Sequence, residues 1–315
     1  MQEIPKLNLL NFTQGNAASK SQFVKELGDA YSDIGFVAIC NHGISEDFLN
    51  ELYGSVSDFF QLPIDIKLKY DDSLGGGQRG YTGFAKEHAK NRIMGDLKEF
   101  WHFGQYINHK DAHAPSYPSN KTVKELPQFN VLGEQLYKSL EETGRVVLRA
   151  IALYLELDED YFDAKIFNGN SILRAIHYPP ILQEPGDAIR SGEHEDINLI
   201  TLLVGASADG LEVLNRKGDY IAVTKVEDHI VVNVGDMLQC LTNDKLRSTT
   251  HRVVNPPKEK WDKPRFSIPF FLHPRPETAL NCLESCVNDE NPKKYSDITA
   301  NEFLIERLTE IGLMK

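Results

Sequence analysis

The sequence has few cysteines, no long apolar run and a shortage of basic residues, and each absence excludes a class of protein. Its four cysteines are too few and too scattered for a disulfide framework. Cys282 and Cys286 have no matching second pair that would complete a zinc site. No segment approaches about 18 consecutive apolar residues, and the opening stretch MQEIPKLNLLNF lacks the apolar core of a signal peptide. We therefore expect a cytoplasmic protein without a transmembrane helix.

The charge balance excludes a second group of partners. Lys and Arg together number 34 against 46 Asp and Glu, which gives a net charge of -12. Nucleic acids and anionic membranes are bound by clustered Lys and Arg, so we expect neither as a partner. A hydrophobic content of 41% and a charged content of 25% are typical of a folded globular chain. The length favours one decorated domain over two separate ones.

The first half of the chain and its last residues have helical periodicity. Apolar residues at spacings of three and four predict helices over residues 20–34, 45–60 and 130–156. Gly35 follows the first of these helices as a stop signal, and Ser45 precedes the second as an N-cap. The glycine-dense stretch DDSLGGGQRGYTGF predicts a loop over 71–84. Thr299 followed by Glu302 has the capping-box pattern of a C-terminal helix.

From about residue 171 the period changes from 3.6 to 2. Short runs such as SILRAIHY, NLITLLV, HIVVNVG and RFSIPFFL alternate with Gly, Asn, Asp or Pro, which indicates a sandwich or jelly-roll barrel. The predicted fold class is therefore mixed α and β. We expect an N-terminal helical region with short strands over 1–165, a jelly-roll core over 166–275 and a C-terminal extension with a helix over 276–315.

The stretch GEHEDINLITLL places charged residues at the start of an apolar strand. In an extended chain the side chains of His194 and Asp196 point to the same side, so both can bind one metal ion. Such pairs also arise by chance, and NHKDAHAP contains a second set, His109, Asp111 and His113. That second set lies among polar and helix-breaking residues with no adjacent apolar strand, which favours a surface loop.

A two-histidine, one-carboxylate site needs a third protein ligand. His251 is the candidate, because it opens the apolar run HRVV; the alternative is an ordinary buried histidine. Arg265 and Ser267 share one face of the predicted strand RFSIPFF. An inward-pointing Arg there needs an anion, either a bound carboxylate or an internal Asp or Glu.

This order of residues resembles the iron(II)- and 2-oxoglutarate-dependent dioxygenases of the isopenicillin N synthase-like family. The resemblance covers most of the chain and includes GFVAICNHGI, DLKEFWHFG, LRAIHYPP and NVGDMLQCLTNDKLRSTTHRVVNP. It implies a double-stranded β-helix core, that is, a cupin-like jelly roll, with a helical shell. It also implies an iron site made of His194, Asp196 and His251. The resemblance implies, finally, that Arg265, Ser267 and Tyr178 bind 2-oxoglutarate.

The implied activity is oxidation, by default hydroxylation, of a small molecule. Fe(II), 2-oxoglutarate and dioxygen are the implied cofactors and co-substrates, with ascorbate as a further candidate. Arg174 and Phe271 are the candidate substrate contacts; Arg174 either binds a substrate carboxylate or forms an internal salt bridge. Two alternatives stay open: an oxidase that works without 2-oxoglutarate, and a non-catalytic cupin-like metal-binding module. The expected state is a monomer or a weak homodimer.

Overall fold

The strands of the described residues form two sheets. The computed structural model describes residues 3–71, 77–87, 95–107, 110–111, 117–205, 207–224 and 228–310. The strands are β1 (Lys6–Asn8), β2 (Phe36–Cys40), β3 (Gly80–Thr82), β4 (Glu99–Gly104), β5 (Ile172–Tyr178), β6 (Ser191–His194), β7 (Ile200–Val204), β8 (Leu211–Leu214), β9 (Tyr220–Ala222), β10 (His229–Val234), β11 (His251–Val253) and β12 (Arg265–Leu272). The larger sheet has the order β1-β2-β10-β7-β12-β5-β4-β3, and the smaller one has the order β6-β11-β8-β9.

Helices lie between these strands and after the last of them. They are α1 (Leu10–Thr13), α2 (Ala17–Asp33), α3 (Glu46–Gln61), α4 (Ile64–Lys67), α5 (Pro127–Tyr154), α6 (Asp163–Ile166), α7 (Asp236–Leu241) and α8 (Ala300–Glu310). No helix in the described part of the chain is long and apolar enough to cross a membrane.

Local sequence signals set the helix ends. The Ser45 side chain accepts a hydrogen bond from the Phe48 backbone N–H and caps α3. After α2, the N–H of Gly35 donates to the Ala30 carbonyl with a φ of +73°. A Cβ at Gly35 would lie 2.2 Å from the Arg247 carbonyl oxygen, so only glycine fits this turn.

The larger sheet separates two apolar layers. Alternation along β2 directs Phe36 and Ala38 towards apolar residues of the smaller sheet, and it directs Val37 and Ile39 into the helix-covered core. The long helix α5 lies in that second core and contacts β12, β7, β5 and β4. The space between the two sheets is thus lined by apolar side chains at one end, while the polar residues of the candidate site occupy the ends of β6, β11 and β12.

The structure confirms the predicted fold class, including the N-terminal helical region, the two-sheet core and the C-terminal helix. The capping box is present, because Thr299 Oγ1 accepts from the Glu302 N–H and Glu302 Oε2 accepts from the Thr299 N–H. The three-part division stays a prediction; β1 to β4 of the 1–165 region extend the same sheet as the later strands. The loop prediction over 71–84 missed β3, which is held by pairing to the distant β4, while residues 72–76 lie outside the described ranges.

Candidate metal centre and co-substrate pocket

Three side chains predicted from the sequence meet at the ends of β6 and β11. His251 is the cross-strand partner of His194, and Asp196 follows two residues after His194. Each of the three residues offers one ligand atom, and these atoms all lie within 4.8 Å of one another. His251 Nε2 lies 3.8 Å from Asp196 Oδ1. Among the residues that the structure describes, this is the one group of three or more His, Cys, Asp or Glu side chains placed to hold a metal ion.

Backbone carbonyl groups orient both histidines. His194 Nδ1 lies 2.7 Å from the Gly192 carbonyl oxygen, and His251 Nδ1 lies 3.0 Å from the Thr249 carbonyl oxygen. Since a carbonyl oxygen can only accept a hydrogen bond, each Nδ1 carries the proton. The Nε2 lone pair of each ring is then available to a metal ion. In both strands the carbonyl belongs to the residue two positions earlier.

Asp196 is fixed by two donors on one oxygen. Its Oδ2 accepts from Thr201 Oγ1 at 2.6 Å and from Asn233 Nδ2 at 2.8 Å, which leaves Oδ1 facing His251. Burial alone would raise the pKa of Asp196, but the neighbouring histidines and these two donors hold it below its usual value. The carboxyl group is therefore ionised at neutral pH. Two neutral imidazole nitrogens and one carboxylate oxygen on one side are the donor set of non-haem iron(II) oxygenases.

The competing His-x-Asp-x-His set stays untested. His109 and His113 lie outside the described residues. Asp111 Oδ2 accepts a hydrogen bond from Asn168 Nδ2 at 2.8 Å.

We expect the metal-free protein to lose stability as the pH falls from about 6.5 towards 4. Burial lowers the pKa of both His194 and His273 to about 4, helped at His194 by the nearby His251. In the unfolded chain each imidazole titrates near its ordinary value of about 6.5. Between these two values the unfolded chain binds more protons than the folded one, so the free energy of unfolding decreases with decreasing pH. The decrease between pH 7 and pH 5 should be roughly 2 kcal/mol for each residue, or about 3–4 kcal/mol for the two together.

Urea unfolding of metal-free protein across this pH range measures the effect. The His273→Gln variant serves as the control, because it should remove about half of the pH dependence while leaving His194 in place. A free energy of unfolding that stays constant from pH 7 to pH 5 would contradict the prediction.

The predicted anion-binding arginine is buried without a carboxylate partner. Arg265 is 1% exposed, and its Nε donates to the Ala208 carbonyl oxygen at 3.0 Å. Its Nη1 is buried and has no hydrogen-bond partner. Within the described ranges no Asp or Glu forms an ion pair with Arg265, so the alternative of an internal carboxylate finds no support there. A buried guanidinium in this state provides a site for an external anion.

Two further predicted co-substrate residues, Tyr178 and Ser267, lie next to Arg265. Tyr178 is the cross-strand partner of Arg265, and the Arg265 guanidinium carbon lies 5.0 Å from the centre of the Tyr178 ring. Ser267 is buried two residues further along β12, on the same face as Arg265.

Arg174, a predicted substrate contact, forms the internal salt bridge that the sequence left open. Its Nη1 lies 3.1 Å from Glu87 Oε1, and its Nε donates to His102 Nε2 at 2.6 Å. The guanidinium carbon lies 4.2 Å from the ring centre of Phe100 and 5.3 Å from that of Phe271. Arg174 and Phe271 therefore lie side by side, and the charge of Arg174 is already balanced by Glu87.

Several polar residues near the site were missed in the sequence. Buried Lys98 lies 2.7 Å from Glu87 Oε1 and 2.9 Å from Asp96 Oδ2. Asp96 Oδ1 in turn accepts a hydrogen bond from the Gly192 N–H, and the carbonyl of the same glycine orients His194. The stretch DLKEF held a signal for this network, because it places three charged residues, Asp96, Lys98 and Glu99, just before and at the start of a buried strand. Arg190, which directly precedes β6, has no comparable signal in the sequence.

Comparisons with known proteins agree with this geometry. The family described as "non-haem dioxygenase in morphine synthesis N-terminal" matches residues 4–125, and the 2OG-Fe(II) oxygenase superfamily matches residues 169–274. The second match spans the triad, Tyr178, Arg265 and Ser267. A 2-oxoglutarate-Fe(II) type oxidoreductase, ppzD of Metarhizium rileyi, is 32% identical over 322 residues, which cover 96% of this chain and 89% of that protein.

Solved structures that are similar to this chain also include 2-oxoglutarate-Fe(II) oxygenases. A crystal structure of a 2OG-Fe(II) oxygenase family protein from Caulobacter crescentus has a TM-score of 0.89 and 39% identity, over 99% of this chain and 100% of the other. A full-length Neurospora crassa protein in complex with alpha-KG, which is 2-oxoglutarate, has a TM-score of 0.85 and 30% identity, over 97% and 96% of the two chains. The same protein with alpha-KG and thymine has a TM-score of 0.84 and 29% identity, over the same shares of the two chains.

The fold and the His-Asp-His group agree with these relatives, which match almost the whole chain. The chain therefore belongs to the iron(II)- and 2-oxoglutarate-dependent oxygenases of the isopenicillin N synthase-like type, enzymes that use Fe(II), 2-oxoglutarate and dioxygen.

Proposed function

We propose that His194, Asp196 and His251 hold the Fe(II) of this oxygenase, and that Arg265, Ser267 and Tyr178 bind the distal carboxylate of 2-oxoglutarate. The observation that carries the proposal is the buried, unpartnered Nη1 of Arg265 in the same barrel as a three-ligand group. When bound, the iron supplies the redox chemistry by which 2-oxoglutarate and dioxygen yield succinate, CO2 and an oxidised substrate.

The protein's own groups orient and shield this chemistry. The carbonyls of Gly192 and Thr249 hold the two imidazoles in the tautomer that a metal needs. Thr201 and Asn233 keep Asp196 ionised and leave one oxygen available. Three protein ligands leave the other coordination positions open for the co-substrate and dioxygen. Hydroxylation is the default outcome, with desaturation or ring closure requiring a different substrate pose.

The substrate is a small molecule, and we propose that it contacts Arg174 and Phe271. Because Glu87 neutralises Arg174, the site favours a neutral polar compound over an acid that would have to displace Glu87. The rings of Phe100 and Phe271 beside the guanidinium favour a flat molecule. The N. crassa relative solved with thymine supports this choice. Succinate release that thymine-like compounds stimulate in wild type but not in Arg174→Met would support these contacts, and equal stimulation would refute them.

An anaerobic titration tests the proposed co-substrate site. Metal-free protein is given Fe(II) and then 2-oxoglutarate, and we expect a visible charge-transfer band from the chelated keto acid. Oxygen should then release succinate, and a chelator that removes the iron should stop the release. If iron binds without a band, Arg265 serves the substrate itself and the enzyme works as an oxidase of the isopenicillin N synthase type.

Several sequence predictions remain predictions. They are the cytoplasmic location, the monomeric or weakly dimeric state, the absence of nucleic-acid partners and the use of ascorbate.

A further inference from the structure

Arg190 is a second buried arginine near the proposed co-substrate pocket. It directly precedes β6, the strand that ends at His194. Its exposed fraction is 2%, its Nη2 donates to the Lys263 carbonyl oxygen at 3.2 Å, and its Nε is buried without any partner. No Asp or Glu in the part of the chain that the structure describes forms an ion pair with it. A buried cation without a counter-charge is costly, so this arrangement needs an explanation.

The residues around Arg190 increase the free-energy cost of burying its charge. Its guanidinium carbon lies 5.9 Å from the ring centre of Tyr178, and the Arg265 guanidinium carbon lies 5.0 Å from the same centre. Burial and the nearby charge of Arg265 lower the pKa of Arg190 to about 10. The guanidinium nevertheless stays charged at neutral pH. Two positively charged guanidinium groups thus lie near one tyrosine ring, and each group has a buried nitrogen without a hydrogen-bond partner.

Lys98 shows how this fold compensates the charge of a buried cation. Its ammonium group contacts two carboxylates, Glu87 and Asp96, and a serine hydroxyl, Ser191. Its charge is therefore compensated within the fold. Arg190 and Arg265 differ from Lys98, because no Asp or Glu among the described residues forms an ion pair with either arginine. An anion from outside the chain would supply the missing charge and accept from the unpartnered N–H groups.

We propose that Arg190 is a second binding residue for the distal carboxylate of 2-oxoglutarate, acting together with Arg265 beside Tyr178. The inference rests on the proposed function, because it assumes that this pocket takes 2-oxoglutarate. Two guanidinium groups at one end of the pocket select a 2-oxo acid that carries a second carboxylate. Arg190 is then a specificity-determining residue for the co-substrate, and its bond to the Lys263 carbonyl holds its side chain in place.

The competing explanation is that Arg190 only fastens the segment before β12 through Lys263. A pair of co-substrates separates the two explanations. 2-Oxopentanoate has a methyl group where 2-oxoglutarate has its distal carboxylate, and it keeps the keto-acid end that chelates iron. A contact to the distal carboxylate affects 2-oxoglutarate alone, whereas a general loosening of the pocket weakens both acids.

The experiment measures the Kd of both acids by the charge-transfer band under anaerobic conditions, in wild type and in Arg190→Met. We expect the Kd of 2-oxoglutarate to rise roughly 10- to 100-fold, as for a lost hydrogen bond to a charged group. The Kd of 2-oxopentanoate and the Kd of Fe(II) should change less than about twofold, within the noise of such comparisons. The control is Arg149→Met, because Arg149 lies on α5 and forms an ion pair with Asp163 of α6; it should leave all three constants unchanged.

Each result has a distinct meaning. If wild type shows no band with 2-oxoglutarate, the proposed function fails. If wild type shows the band and Arg190→Met weakens both acids equally, or neither, the inference about Arg190 is overturned while the proposed function stands. If the melting temperature shows that Arg190→Met does not fold, Arg190→Gln takes its place, because its amide keeps a hydrogen-bonding group in the buried position without the positive charge. The same change in the ratio of the two Kd values then decides.

Discussion

Replacing Asp196 with alanine is expected to abolish iron-dependent turnover. The variant loses the one anionic ligand of the proposed iron site and leaves two neutral imidazoles. It also leaves the Thr201 hydroxyl and the Asn233 amide buried without their acceptor. Loss of residues that merely support a ligand costs about 10- to 100-fold in metal affinity, so loss of the ligand itself should weaken Fe(II) binding by at least roughly 100-fold.

Isothermal titration with Fe(II) under anaerobic conditions, together with succinate release, measures this effect. Glu195→Ala is the matched control, because Glu195 is the adjacent carboxylate and is exposed, with a hydrogen bond from Thr250. The control should keep wild-type affinity and turnover. Undiminished turnover in Asp196→Ala would refute the assignment of all three ligands, since the two histidines were identified together with this carboxylate.

The second large effect is expected at Arg265. Arg265→Met keeps most of the side-chain volume but removes the guanidinium that we assign to the distal carboxylate of 2-oxoglutarate. Truncating one partner of a buried charge pair costs about 2–5 kcal/mol or more by measured precedent, which corresponds to a Kd for 2-oxoglutarate that is at least about 30-fold higher. The affinity for Fe(II) should stay within about twofold of wild type, because Arg265 is not a ligand.

The loss of the charge-transfer band at a fixed 2-oxoglutarate concentration measures this change, and excess 2-oxoglutarate should restore the band. Arg252→Met is a suitable control, because Arg252 follows the ligand His251 but is paired at the surface with Glu193 and Glu212. A wild-type Kd in Arg265→Met would show that the distal carboxylate binds elsewhere.

Much of the fold could be predicted from local patterns. The helices α2, α3, α5 and α8 carry apolar residues at helical spacing, and three of them begin or end at recognisable capping residues. The strands of the second half show alternation and turn residues. These signals are local, because backbone geometry repeats every two residues in a strand and every 3.6 in a helix. By contrast, β3 and β6 are too short and too mixed in composition to be visible without their partners.

Residue spacing and a family resemblance were also enough to predict candidate site residues, namely His194, Asp196, His251, Arg265 and Ser267. Spacing could not show that Arg174 would pair with Glu87, because these residues lie 87 positions apart and meet through the pairing of β4 with β5 and the segment before β4. It could not show the position of Arg190 beside Tyr178 for the same reason.

The sequence by itself therefore determined the class of the fold, the order of the candidate ligands and the chemistry that such ligands support. Only the tertiary structure decided which charges are compensated within the protein: Lys98 and Arg174 have carboxylate partners, whereas Arg190 and Arg265 have none within the described residues. The physical reason is that the energy of a buried charge depends on neighbours a few ångströms away, and strand pairing across distant parts of the chain chooses those neighbours.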